Sequence, residues 1–155
     1  MKIRKATKRD LKQIIALYID YLISQRKFAK WLGNSKNKID NKEVKRAIEK
    51  SISKAGHHIF LIAEKDNEIQ GFVHAEIMSH RESRTDKKVI EIVDIYSSIK
   101  RKGIGKLLLK EIEKWAKLEK ANYILWEFMT DNKGAENFCR KNRFKDFKTK
   151  MLKKV

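Results

Sequence analysis

Apolar positions alternate with a period of two in some stretches of the chain and recur every three to four residues in others. The switches between the two periods mark out its elements. Residues 2–6 alternate and read as a short strand. Thr7-Lys8-Arg9-Asp10 has the spacing of a capping box, with Thr7 as N-cap and Asp10 reaching back. The helix it opens carries Leu11, Ile14, Ile15, Tyr18 and Leu22 on one face. Residues 26–40 mix Lys, Asn, Ser and Gly around Phe28, Trp31 and Leu32, and read as a loop or broken helix. A second helix starts at Asp40-Asn41-Lys42-Glu43, turns Val44, Ala47, Ile48 and Ile52 inward, and ends at Gly56. From His58 to Ala63 the chain is apolar and β-branched, Asp66-Asn67-Glu68 turns it, and Ile69 to Ile77 returns, which predicts a hairpin. Ser79 to Lys87 is a polar turn, and Val89 to Ile95 a further strand. Residues 103–118 form a strong helix with Ile104, Leu107, Leu108, Ile112 and Trp115 on one stripe. Tyr123 to Met129 reads as a strand, Asn132 to Lys141 as a short helix with Ala135 and Phe138 inward, and Phe144 to Val155 as a last strand region. The order β-α-α-β-β-β-α-β-α-β predicts a mixed α/β (α+β) fold in a single domain spanning residues 1–155.

Composition narrows the picture. A chain of 155 residues is long enough for one domain with a substantial core. No apolar run approaches the ~20 residues of a membrane span, and residues 1–6 lack the apolar centre of a signal peptide, so a cytoplasmic protein is expected. The single cysteine, Cys139, excludes an internal disulfide and a cysteine-based metal cluster. The four histidines, His57, His58, His74 and His80, do not pair at helical metal spacing, so no metal is expected. There is no proline, and loops must be shaped by Gly, Asn and Asp. The net charge of +18, from 38 Lys and Arg against 20 Asp and Glu, favours anionic partners without naming one. A lysine-rich solvated surface accounts for it equally well.

The chemistry concentrates in residues 100–109, Lys-Arg-Lys-Gly-Ile-Gly-Lys-Leu-Leu-Leu. Cationic side chains lead into two glycines and then an amphipathic helix, directly after a strand. Such a loop presents backbone N–H groups and positive charge to a polyphosphate. It lacks the Gly-x-x-x-x-Gly-Lys-Ser/Thr of a P-loop, and it lacks the third glycine and ribose-binding acid of a Rossmann site.

Two motifs at matching spacing make the chain resemble the GCN5-related N-acetyltransferase (GNAT) superfamily over nearly its full length. Lys100-Arg101-Lys102-Gly103-Ile104-Gly105 is similar to that family's Arg/Gln-x-x-Gly-x-Gly/Ala loop. Asn132, Ala135, Phe138, Cys139, Arg143 and Phe144 follow its Asn-x-x-Ala-x-x-Phe/Leu-Tyr-x-x-x-Gly-Phe motif. The opening Ile3-Arg4-Lys5-Ala6-Thr7 with Asp10-Leu11, and Ala63-Glu64 through Ile69-Gln70-Gly71-Phe72, look like its first strand, helix cap and hairpin. The resemblance implies a mixed, mostly antiparallel sheet of about six or seven strands with about four helices. It implies acetyl-CoA as cosubstrate, with the amides of Lys102, Gly103, Ile104, Gly105 and Lys106 around the pyrophosphate. Lys100, Arg101 and Lys106 would add charge, Val93 and Ile95 would hold the pantetheine arm through their backbone, and Asn132 and Phe138 would complete the site. An amide near Ile95 would face the thioester oxygen. Three departures stand out: Lys100 where Arg or Gln is usual, Ser97 where proline is common, and Arg143 in place of the motif glycine, which puts the shape of that turn in doubt.

Acetyl transfer to an amine needs a group to accept the ammonium proton and a proton for the leaving thiolate. Glu127, between Trp126 and Phe128, and Glu91, between Ile90 and Ile92, sit in otherwise apolar strands. Burial of a carboxylate in such a strand suits it to act as a base. Glu91 alternates in step with Val89, Val93 and Ile95. By resemblance, protein N-terminal acetyltransferases place a base at Glu127 and histone-type members place one on the strand of Glu91; Glu127 is favoured. Cys139 stands where the family's tyrosine acid lies, and a small buried packing thiol is the slightly favoured reading of it. By resemblance, Phe28, Trp31 and Trp126 are candidates to line the acceptor side, with ordinary packing of a helix end the favoured reading of Phe28 and Trp31. The expected reaction is transfer to a primary amine, on a protein N-terminus, a lysine or a small molecule, by direct attack in a ternary complex, with the protein a monomer or homodimer. Two other classes stay open: a CoA-binding protein with little catalysis, and a basic nucleic-acid or ribosome-associated protein. The lysines spread through every segment and argue against a dedicated nucleic-acid stripe.

Overall fold

The computed structural model describes residues 1–28, 39–53, 56–78 and 86–153. It is a mixed α+β fold in which a five-stranded sheet carries helices on both faces. The strands are β1 (Lys2–Lys5), β2 (His58–Lys65), β3 (Glu68–Ile77), β4 (Val89–Ser97) and β5 (Tyr123–Trp126). The helices are α1 (Leu11–Arg26), α2 (Asn41–Ser53), α3 (Ile104–Leu118) and α4 (Lys133–Lys141). Strand order follows sequence order, and each neighbouring pair is antiparallel except β4 and β5, which are parallel.

The β2–β3 hairpin turns on Asp66 and Asn67, whose φ angles of 52° and 63° match a turn with both central residues left-handed. Asp and Asn tolerate that conformation, and its twist suits the flanking strands. Arg4 ties β1 to the start of α1. Its guanidinium donates to both Asp10 carboxylate oxygens at 2.8 Å and to Glu64 Oε2 at 2.8 Å. Asp10 also accepts from the Thr7 amide and hydroxyl at 2.8 Å. These charge-assisted bonds hold the Asp10 carboxyl well below the usual carboxylate range, chiefly through Arg4.

Alternation along the strands splits the core in two. Ile14, Leu17, Val44 and Ile48 of α1 and α2 bury against Phe60, Ile62 and Phe72 on one face. Ile104, Leu108, Leu109 and Ile112 of α3 bury against Leu61, Val73, Ile90 and Ile92 on the other, where Phe138 of α4 joins them.

Several expectations need correction. The sheet has five strands among the described residues, against an expectation of six or seven, because 144–153 has no regular structure and β5 stops at Trp126. Leu107 is exposed and Leu109 buried, so the α3 stripe is rotated from the one read off the sequence; Ala47 of α2 is also exposed. Trp31 and Leu32, and most of the polar turn at 79–87, lie outside the described residues. No helix among the described residues is long and apolar enough to cross a membrane.

Candidate active site

Strands β4 and β5 run side by side and then part. Their pairing runs from Val89–Tyr123 to Ile92–Trp126 and ends there. β4 continues to Ser97, bonded to β3 alone among the described residues, while residues 127–129 leave β5 as coil. The parting coincides with a bulge. Ile92 faces Ala75 and Asp94 faces His74, so Val93 is the extra residue. A bulge bends its strand and leaves one residue unpaired. It also shifts the alternation, so Ile95 packs with the α3-side core whereas Glu91 points to the α1–α2 face, which corrects the in-step reading of those two residues. The half-open edge from Val93 to Ser97 is what an extended pantetheine-like chain needs in order to pair as an added strand.

The 100–106 loop closes the end of this gap. Gly103 caps α3 in a left-handed conformation (φ 77°), and an added Cβ there would meet nothing within 4 Å. Its requirement is therefore backbone shape. Arg101 adopts the same region without being glycine, with φ 62°. The first intrahelical amide bond runs from Leu107 N to Gly103 O at 3.1 Å. The amides of Ile104, Gly105 and Lys106 precede it and point out of the helix end, where the macrodipole favours an anion. Gly105 has a packing role: a Cβ there would come within 3.3 Å of the Phe138 ring, so its bareness lets α4 close on α3. Phe138 in turn meets Trp126 edge-on at 5.9 Å.

The loop cations divide. Arg101, Lys102 and Lys106 are exposed. Lys100 folds back over the Tyr96 ring, 4.4 Å from its centre, and donates to Ser97 O at 2.8 Å. Burial, with repulsion from Lys27, lowers its pKa. Ser97 donates its hydroxyl to Ile99 O at 2.7 Å, and Ser98 donates to Gln70 O at 3.1 Å, so serines brace a turn that has no proline. Asn132 is the N-cap of α4, its Oδ1 accepting from Ala135 N at 3.1 Å.

Glu91 and Glu127 lie on either side of the parting. Glu91 is half-buried one residue before the last β4–β5 pair. Glu127 follows β5 directly, is exposed, and its Oε1 accepts from Lys150 Nζ at 2.6 Å. Cys139 is buried on the inner side of α4, and burial pushes its thiol up to about 11.

A family model for the acetyltransferase (GNAT) family matches residues 25–144. The chain belongs to that family. No curated protein matches it in sequence. Among solved structures, a mutant of the BH1408 protein from Bacillus halodurans is similar at TM-score 0.81 and 16% identity, covering 100% of this chain and 99% of that one. Aminoglycoside N-acetyltransferase AAC(6')-Iy in complex with CoA is similar at TM-score 0.79 and 15% identity, covering 99% and 93%. AAC(6')-IG from Acinetobacter haemolyticus follows at TM-score 0.75 and 18% identity, covering 100% and 99%.

Of the chain's departures from the GNAT motifs, one falls in a turn after α4. Arg143, in place of the motif glycine, has φ 66°, so this turn is also left-handed. Sequence reasoning missed Asp94. It is buried on the α1–α2 face and accepts from the Tyr18 hydroxyl at 2.8 Å. The signal was present, since Asp94 is a second carboxylate within the same apolar strand as Glu91. Burial and the Asp94 charge push the Tyr18 and Tyr21 hydroxyls above their ordinary value, so both stay protonated as donors.

Proposed function

We propose that this chain transfers the acetyl group of acetyl-CoA to a primary amine by direct attack in a ternary complex. The observation that carries the reading is the end of β4–β5 pairing at Ile92–Trp126, above a helix N-terminus with three amides free of intrahelical bonds. A thin anionic molecule of CoA's form fits that arrangement. Its pyrophosphate would meet the amides of Ile104, Gly105 and Lys106 and the charges of Arg101, Lys102 and Lys106. Its pantetheine arm would pair along Val93 to Ile95. Phe138 supports the floor through Gly105, and Asn132 supports it through the α4 cap.

In the reaction the amine nitrogen forms a bond to the thioester carbonyl carbon and the carbon–sulfur bond breaks. The amine gives up a proton, and the CoA thiolate takes one. Glu127 and Glu91 flank the place where the strands part and are the proposed proton acceptors. The geometry supports Glu91 through its half-burial and Glu127 through its position at the β5 lip. Cys139 is assigned to packing, because it is buried and its thiol is harder to ionise than a free one. A chain consuming acetyl-CoA this way works in the cytoplasm.

The acceptor is an amine of protein or small-molecule origin. The AAC(6') proteins of the same fold are aminoglycoside acetyltransferases, and one was solved with the bisubstrate analogue CoA-S-monomethyl-acetylneamine. A small polycationic amine is therefore the first acceptor to try. The test is a thiol-release assay with acetyl-CoA and a panel holding an aminoglycoside, a polyamine, a peptide α-amine and a peptide lysine. Acceptor-dependent thiol release with one class supports the reading. CoA binding with no release across the panel makes the chain an acyl-CoA-binding protein instead.

A further inference from the structure

The β2–β3 hairpin brings together side chains that are distant in sequence. Its register sets His58 opposite Glu76 and Phe60 opposite His74, so all four share the α1–α2 face. His58 Nδ1 lies 3.3 Å from His74 Nε2 and 3.2 Å from Glu76 Oε2. One donor atom from each of the three lies within 4.8 Å of the others.

We propose that His58, His74 and Glu76 form a site for a zinc-class divalent cation. Four features carry this. Bonds of about 2.0–2.1 Å at tetrahedral angles place ligand atoms roughly 3.3 Å apart, and two of the three ligand separations have that value. Two imidazole nitrogens and one carboxylate oxygen are donors for zinc, whereas magnesium and calcium take oxygen. His74 is fixed in place: it is buried and stacks on Phe60 at 5.7 Å. Asp94, held by Tyr18, faces His74 as a second negative charge.

The site is open on one side. The Glu76 side chain is 36% exposed, and three protein ligands leave a fourth position for water. Helical spacing could not reveal the cluster, because adjacent strands supply its members. The net charge of +18 repels cations from the surface at large, so tight binding has to come from a local set of donors. The proposal stands independently of acetyl transfer.

The test uses the full chain, stripped with chelator and without CoA, titrated with zinc chloride against a competing chromophoric chelator. One zinc per chain at micromolar or tighter Kd is expected. His58→Ala, His74→Phe and Glu76→Gln should each weaken binding at least about 100-fold, while His57→Ala and Cys139→Ala leave it unchanged. Melting temperature should rise by about 5–10 °C at a hundredfold zinc excess over Kd. Cobalt chloride should give the visible absorption of a tetrahedral site. Glu76→Gln alters a half-exposed side chain, so it reads out binding even where His74→Phe fails to fold. No zinc uptake, or uptake that Glu76→Gln and His58→Ala leave intact, overturns the proposal.

Discussion

Arg101→Gly separates the two demands that the loop makes on one residue. Arg101 holds φ 62°, a conformation that costs an L-residue about 1–2 kcal/mol and glycine nothing. Glycine's extra freedom in the unfolded chain returns about 0.5–1 kcal/mol of that gain. The variant should therefore be about 0.5–1 kcal/mol more stable, which raises Tm by roughly 1–4 °C for a chain of this size. The same change removes an exposed charge beside the amides proposed to meet the pyrophosphate. A charge in that setting contributes about 0.5–1 kcal/mol, so CoA affinity should fall roughly two- to fivefold at low salt. The loss should shrink as salt screens the contact. Denaturant melts give the first quantity, and calorimetric CoA titrations at two salt concentrations give the second. Stability and affinity are expected to move in opposite directions. A destabilised Arg101→Gly, or one with unchanged affinity at low salt, refutes the argument. Gly103→Ala is the counterpart. Its φ is 77° and its added Cβ meets nothing, so it should lose about 1–2 kcal/mol from backbone conformation alone.

The remaining predictions concern the proton path and the acid limb of stability. Glu127→Gln or Glu91→Gln, whichever removes the base, should lower turnover roughly 10²-fold with CoA affinity kept; unchanged turnover in both variants removes the carboxylate-base mechanism. Cys139→Ala should melt at a lower temperature yet keep its rate per folded molecule, and Cys139→Tyr should cost about 1–3 kcal/mol by overpacking; a large rate loss in well-folded Cys139→Ala makes the thiol catalytic. Asp10 has its pKa lowered in the folded state, so its contribution is full above the unfolded value near 3.8 and is lost as pH falls below it. Arg4→Gln removes the largest cause, and denaturant melts should show a flatter decline on acidification than in the parent; an equally steep decline assigns the acid sensitivity elsewhere.

Local chemistry was legible and long-range pairing was not. Asp66-Asn67 announced its hairpin because few residues accept two left-handed positions in a row. The 100–106 loop was legible because cations, glycines and an amphipathic helix follow one another directly. The bulge at Val93 was not, because one extra residue leaves no mark on composition while reversing the face of everything after it. The face of Ile95 relative to Glu91 was misread for that reason. Gly105 shows the same limit: its missing Cβ makes room for the Phe138 ring, a contact between helices that the composition of the loop does not announce. The Tyr18–Asp94 bond and the His58–His74–Glu76 cluster join residues from separate elements: packing of α1 on the sheet makes the first, and the β2–β3 register makes the second. At the C-terminal end a strand region was expected over Phe144 to Val155, and residues 144–153 carry no regular structure.

A crystal structure of the chain with CoA is the most direct test of the central claim. The pyrophosphate should lie over the amides of Ile104, Gly105 and Lys106, with the pantetheine arm running along Val93 to Ile95 between β4 and residues 127–129. A pyrophosphate bound elsewhere on the basic surface, with the β4–β5 gap empty, would contradict it.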